Sequence, residues 1–149
     1  MDIKSPEDRS KNMAAIRSKN TKPEIYFRKL LFAQGYRYSL NSKTVPGHPD
    51  IYLRKYNTAI FIHGCFWHRH SNCKYAYIPK SRVEFWQNKF ETNTKRDYVV
   101  RMKLQDRGIK CLIVWECTVK QMSKNYENSV VCLEMVEAFL KTKDLFLEI

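Results

Sequence analysis

Amphipathic, wholly apolar and polar stretches alternate along the chain, and each type predicts its own element. Thr21-Lys22-Pro23-Glu24 has the capping-box pattern, in which the Thr hydroxyl accepts from an orphan amide while the Glu side chain reaches back. Apolar Ile25, Phe27, Leu30, Leu31 and Ala33 then run toward Gly35 as a C-cap, so the spacing predicts a helix from about Pro23 to Gln34. Gly35 to Leu40 is expected as a short strand, Asn41 to Gly47 as a loop, and Ile51-Tyr52-Leu53 as a second strand after Pro49. Thr58 to His63 and Lys110 to Trp115 are almost unbroken apolar runs, the pattern of central strands covered on both faces. Between them, Ser81 to Arg107 places Trp86, Phe90, Val100 and Leu104 near helical spacing and predicts one long helix or two in succession. Asn128 to Lys141 repeats that pattern with Val131, Leu133, Met135, Val136, Phe139 and Leu140. Doubly covered strands set among helices predict the α/β class: a three-layer α/β/α domain with a central mixed sheet.

Length and charge narrow the picture. The 149 residues fit a single domain, 21–149, preceded by a polar arm, 1–20, with a short helical piece around Met13 to Ile16. With 27 Lys and Arg against 15 Asp and Glu, the net charge of +12 suits a polyanion partner. That charge is uneven: residues 54–110 carry 13 basic and 4 acidic groups, whereas residues 111–149 carry 4 and 6. Phe66, Trp67, Tyr75, Tyr77, Phe85 and Trp86 interleave with the basic residues, and aromatic faces stack on bases. A hydrophobic content of 44% excludes a disordered basic tail. No run approaches the roughly 18 apolar residues of a membrane span, and Met1 to Ser5 lacks the apolar core of a secretory signal, so a cytoplasmic protein is expected. Five cysteines in a reducing compartment point to metal ligation or burial rather than to disulfides.

The densest chemistry lies in Ile62-His63-Gly64-Cys65-Phe66-Trp67-His68-Arg69-His70-Ser71-Asn72-Cys73. Cys65, His70 and Cys73 stand at spacings that let a tight loop wrap one zinc ion. Cys117, just after the Lys110 to Trp115 strand, is the best fourth ligand, and Cys111 and Cys132 are weaker because both fall inside apolar patterns. His63 and His68 are left over to converge across the turn. Asp50 opens the neighbouring strand, where a buried acid must be paired or bind a cation. An acid holding magnesium beside histidines is a constellation that cuts phosphodiesters. Phe66 and Trp67, in a loop between ligands, are candidate wedges between base pairs.

Taken together, Arg9-Ser10-Lys11-Asn12-Met13, Pro46-Gly47-His48-Pro49-Asp50, Phe61 to His68, Glu84-Phe85-Trp86, Arg96-Asp97 and Val114-Trp115-Glu116-Cys117 make the chain resemble the very short patch repair (Vsr) endonucleases over roughly residues 8–120. Members of that family nick DNA beside a thymine–guanine mismatch. The resemblance implies a restriction-endonuclease-like fold with a structural zinc on Cys65, His70, Cys73 and Cys117. It matches Asp50 to the magnesium-binding carboxylate, His68 to the residue that activates water, His63 to a second catalytic histidine, and Glu24 to an acid that contacts water on the metal. Phe66, Trp67 and Trp86 match aromatics that intercalate from the major groove, and Met13 matches a residue inserted from the opposite groove.

Three positions depart from the best-known member. Ile62 stands in place of threonine, a change that a main-chain carbonyl ligand to magnesium tolerates; His48 replaces an arginine; and the spacing from His70 to Cys73 is one residue longer. The implied activity is magnesium-dependent, strand-specific hydrolysis 5′ of the thymine in T·G mismatches left by deamination of 5-methylcytosine. The expected partners are mismatched double-stranded DNA, a cytosine methyltransferase as functional companion, and mismatch-repair proteins. The protein is expected to be a monomer in the bacterial cytoplasm, on the nucleoid. The rival readings are a restriction-type nuclease with another target on the same fold, and a non-catalytic zinc-stabilised DNA-binding module.

Overall fold

The computed structural model describes residues 20–149, and Met13 with nearly all of the expected arm lies outside the described residues. Helix α1, Lys22–Ala33, begins at the capping box: Thr21 Oγ1 accepts from the Glu24 amide and donates to Glu24 Oε1, and the Asn20 amide donates to Glu24 Oε2. It ends at Gly35, whose φ of +95° lets the Tyr36 and Gly35 amides reach the Leu31 and Phe32 carbonyls. Strand β1 is only Ser39–Leu40, because the three residues after Gly35 find no strand partner. Strand β2, Ile51–Leu53, a 3-10 turn over Arg54–Tyr56, and strand β3, Thr58–His63, make an antiparallel hairpin.

The long apolar-spaced segment folds as one helix, α2, Val83–Asp106. It returns the chain to strand β4, Lys110–Trp115, which runs parallel to β3 with His63 opposite Trp115. Helices α3, Glu116–Lys124, and α4, Tyr126–Lys141, lead to strand β5, Phe146–Glu148, parallel to β4. The five strands lie in sequence order in one mixed sheet.

Strand parity then sorts the side chains. Ile51, Leu53, Ile60, Leu112 and Val114 face α1, α3 and α4, where Phe27, Leu31, Val119, Met122 and Val136 complete a core. Residues of the opposite parity, Ala59, Phe61, Cys111, Ile113 and Trp115, meet Val100 and Leu104 of α2. The expected α/β/α layering is thus the observed one. Each fully buried Leu or Ile contributes about 1.5–3 kcal/mol through burial. Lys110, at the head of β4, is an exception to the apolar pattern: its buried Nζ donates to the Phe139 and Thr142 carbonyls at 2.5 and 2.6 Å, closing the C-terminus of α4.

Candidate active site and metal centre

The same parity brings Asp50 and His63 to the α2 side of the sheet. Asp50 precedes β2 in the loop Pro46-Gly47-His48-Pro49, which is pressed against α2. Gly47, at φ +81°, lies so close to Val100 that any side chain there would collide with it. The buried Pro49 anchors the next step of the chain. Asp50 Oδ2 accepts the Ile62 amide at 2.7 Å, tying the β2 entry to the end of β3. Burial, with Glu24 nearby adding to it, pushes the Asp50 carboxyl up to about 7.

His63 ends β3 and is buried, and desolvation with His68 beside it lowers its pKa to about 3, so it is a neutral imidazole. His68 stacks on it with ring centroids 3.8 Å apart and planes within 7°. The outer edge of His68 is fixed by Asp97 of α2, whose Oδ2 lies 2.6 Å from Nδ1. A carboxylate on Nδ1 sets the tautomer that leaves Nε2 free to take a proton. Glu24, Asp50, Ile62, His63, His68 and Asp97 all line one cleft of about 540 Å³, with Arg96 and Arg101 on its α2 wall. Both carboxylate oxygens of Glu24 are also engaged by the α1 cap, so this residue serves helix and cleft at once.

Behind the cleft, Cys65, His70, Cys73 and Cys117 offer ligand atoms that all lie within 4.8 Å of one another. Tetrahedral zinc places its sulfur ligands about 3.8 Å apart, so the quartet fits the ion with a small contraction. Thiolate and imidazole are also the donors that zinc prefers. Cys117 falls in the first turn of α3, beyond the end of β4, and its amide donates to Cys65 Sγ at 3.4 Å. Cys111 lies on β4 outside the quartet, its thiol pushed up to about 12 by burial, and Cys132 lies on α4, also outside it. His70 stacks on Trp115 at 4.2 Å, and Trp115 meets His63 edge-on at 5.4 Å, so one indole separates metal centre and cleft.

Phe66, Trp67 and Trp86 also come together. Phe66 packs edge-on against Trp67 and Trp86 at 5.1 and 5.4 Å, and all three are half-buried rather than free-standing in an exposed loop. Their support is Phe90 beneath Phe66, and Asn93, whose Nδ2 donates to the Trp67 carbonyl.

Comparison with known proteins bears on this arrangement. The family model described as DNA mismatch endonuclease Vsr matches residues 1–74. The DNA mismatch endonuclease Vsr of Escherichia coli strain K12 is 35% identical, with 98% of this chain and 97% of the relative covered. The chain belongs to the Vsr family of DNA mismatch endonucleases. Also similar are the type II nicking enzymes V.NmeAIP of Neisseria meningitidis, 44% identical over 94% of each chain, and V.XorIIP of Xanthomonas oryzae, 42% identical over 79% of this chain and 86% of the relative. Within this Vsr-family fold, sequence reasoning left Asp97 without a role and passed over Arg69. The signal for Asp97 was its place in the matched Arg96-Asp97 pair; for Arg69 it was an arginine lodged between a histidine of the cleft and one of the Cys/His quartet. No helix among the described residues is long and apolar enough to cross a membrane.

Proposed function

We propose that this protein is a magnesium-dependent, strand-specific endonuclease that hydrolyses the phosphodiester on the 5′ side of the mispaired thymine in a T·G mismatch. The observation that carries this reading is the convergence of Asp50, His63 and the His68–Asp97 pair in one cleft of a +12 chain of the Vsr family. Asp50 has a desolvated carboxylate, and among the described residues no Lys or Arg is paired with it. Such a group suits a hard divalent cation, with the main-chain carbonyl of Ile62 as a second oxygen ligand. When bound there, magnesium supplies charge stabilisation on the phosphate oxygens.

The chain's own residues do the rest. His68, oriented by Asp97, takes a proton at Nε2 from the attacking water; the water oxygen bonds to phosphorus as the P–O3′ bond breaks, and the departing O3′ takes a proton from solvent, leaving a 3′-hydroxyl and a 5′-phosphate. His63 stays neutral, so it supports His68 by stacking without adding a competing positive charge. Glu24 adds negative potential beside Asp50, which favours a dication there. The Cys/His quartet holds zinc as a structural staple for the loop that carries His68. Phe66, Trp67 and Trp86 enter the distorted base step, the basic face of α2 follows the backbone, and the enzyme works as a monomer in the wake of a cytosine methyltransferase.

The test is a nicking assay on labelled duplexes that differ in one base, T·G against C·G, with magnesium or without it. Magnesium-dependent cutting of the T strand in the T·G duplex alone is the expected result. Equal cutting of both duplexes would replace this reading with a restriction-type nuclease, and binding without cutting would replace it with a DNA-binding module.

A further inference from the structure

The three half-buried aromatics are the base of a larger patch. Its exposed part is formed by Tyr77, Ile78 and Phe85, which are 62%, 59% and 44% accessible. The Tyr77 ring lies 5.1 Å from Phe66, and Phe85 lies 5.2 Å from Trp86, so the exposed side chains continue the buried cluster outward. Large apolar groups left in the open beside one another mark a contact surface.

The tip that carries Tyr77 and Ile78 is held by Arg69. Its guanidinium donates to the carbonyls of Phe66, Ala76 and Tyr77 at 2.8–3.1 Å and rests on the Phe90 ring at 3.8 Å. Cys73, in the Cys/His quartet, anchors the start of the same loop through its carbonyl, which accepts from the Ala76 amide. A tip tied through its Ala76 and Tyr77 carbonyls to Arg69, itself bonded to the Phe66 carbonyl, has already lost much of the freedom that binding would otherwise cost. Arg82 covers one face of Phe85 at 4.3 Å, placing a cation beside the apolar patch, as a base-and-phosphate ligand requires.

We infer that Tyr77 and Ile78, fixed in place by Arg69, are a further DNA-contacting surface that packs against bases at the distorted step and extends the wedge of Phe66, Trp67 and Trp86. This rests on the DNA substrate proposed above. Arg69 is a positioning residue: it touches the loop, not the nucleic acid.

The experiment compares the wild-type protein with a Tyr77→Ser/Ile78→Ser double variant and with Arg69→Met. Each is loaded with zinc, and binding to labelled T·G and fully paired duplexes is followed by anisotropy in magnesium-free buffer over a range of salt. Both substituted side chains of the double variant are exposed, so its zinc content and melting temperature should match wild type. Its affinity for the T·G duplex should fall about tenfold or more, as expected for loss of stacked contacts. The slope of affinity against salt should not change, because no phosphate contact is lost. Arg69→Met should weaken binding in the same direction while keeping zinc. Wild-type affinity in the double variant would overturn the inference, as would a loss accompanied by a reduced salt slope. A wild-type protein that binds both duplexes alike would instead count against the mismatch reading, and a parallel loss for both duplexes in the double variant would keep the surface.

Discussion

Replacing Asp50 by Asn removes one charge from the cleft while leaving an oxygen to accept the Ile62 amide, now 2.7 Å from the carboxylate. Burial raises this carboxyl from 3.8 in the unfolded chain to about 7 in the fold, so the folded protein binds the proton more tightly. The contribution of Asp50 to stability is therefore fully present below 3.8 and is lost as pH rises through about 7. Each tenfold change in acidity constant is worth about 1.4 kcal/mol, which sets an upper bound of about 4 kcal/mol for the charged group at alkaline pH. Water entering the open cleft reduces this to about 2–4 kcal/mol, or about 5–12 °C in melting temperature for a chain of this size. Zinc-loaded, magnesium-free Asp50→Asn should melt modestly above wild type at about pH 5, where part of the loss has already occurred, and further above it at about pH 8, by circular dichroism. His63 pulls the other way: its pKa is lowered to about 3, so its contribution is lost as pH falls below its ordinary value of 6.5. That effect is common to both proteins and drops out of their difference. Magnesium should then raise the melting temperature of wild type at about pH 8 and leave the variant unmoved, because a cation offsets a buried carboxylate but not an amide. A gap between the two proteins that is the same at both pH values, or equal stabilisation of both by magnesium, would refute the reasoning.

Asp97→Asn keeps the size of the side chain that holds His68 but removes its charge, and kcat for nicking should fall about a hundredfold or more with KM little changed, measured from initial rates over a range of duplex concentrations. Cys73→Ser should lose zinc by metal analysis and melt early, whereas Cys111→Ser should keep full zinc, because only the first is in the quartet. Lys110→Met should lower stability by about 1–3 kcal/mol in urea unfolding, since the Phe139 and Thr142 carbonyls lose their donor.

How far the sequence was legible follows from how local each signal is. Strands β3 and β4 are readable as unbroken apolar runs because both of their faces are covered. Helix α1 is readable because its cap and its Gly35 exit are written in adjacent residues. Helix α3 is not, for in nine residues it buries only Val119 and Met122, too few to set a period. Strand β5 is three residues at an edge, and only its pairing with β4 makes it a strand. In the site, the Cys/His quartet shows through because three of its ligands share one loop. Asp97, beside Lys95 and Arg96, reads as one more surface charge until the fold carries it to His68, 29 residues back in the chain. The exposure of Tyr77 and Ile78 is likewise a tertiary fact, since an aromatic residue beside an isoleucine is also what the buried Ile60 and Phe61 present in sequence.

One element joins these levels. The first half of α2 carries Trp86 and Phe90 to the aromatic group, its middle carries Asn93 to the Trp67 carbonyl and Asp97 to His68, and its last turns pin Val100 and Leu104 on the sheet. At 1.5 Å per residue, Trp86 and Asp97 stand about 16 Å apart on one rod. The segment from Cys65 to Cys73 is its counterpart, with Phe66 and Trp67 meeting the front of α2, His68 meeting Asp97, and Cys65, His70 and Cys73 turned to the quartet. The aromatic group and the His68–Asp97 pair are therefore fixed by the same two pieces of chain. The support of the aromatic group and the hydrogen bond that orients His68 rest on one helix, with Trp86 and Asp97 carried on the same rod.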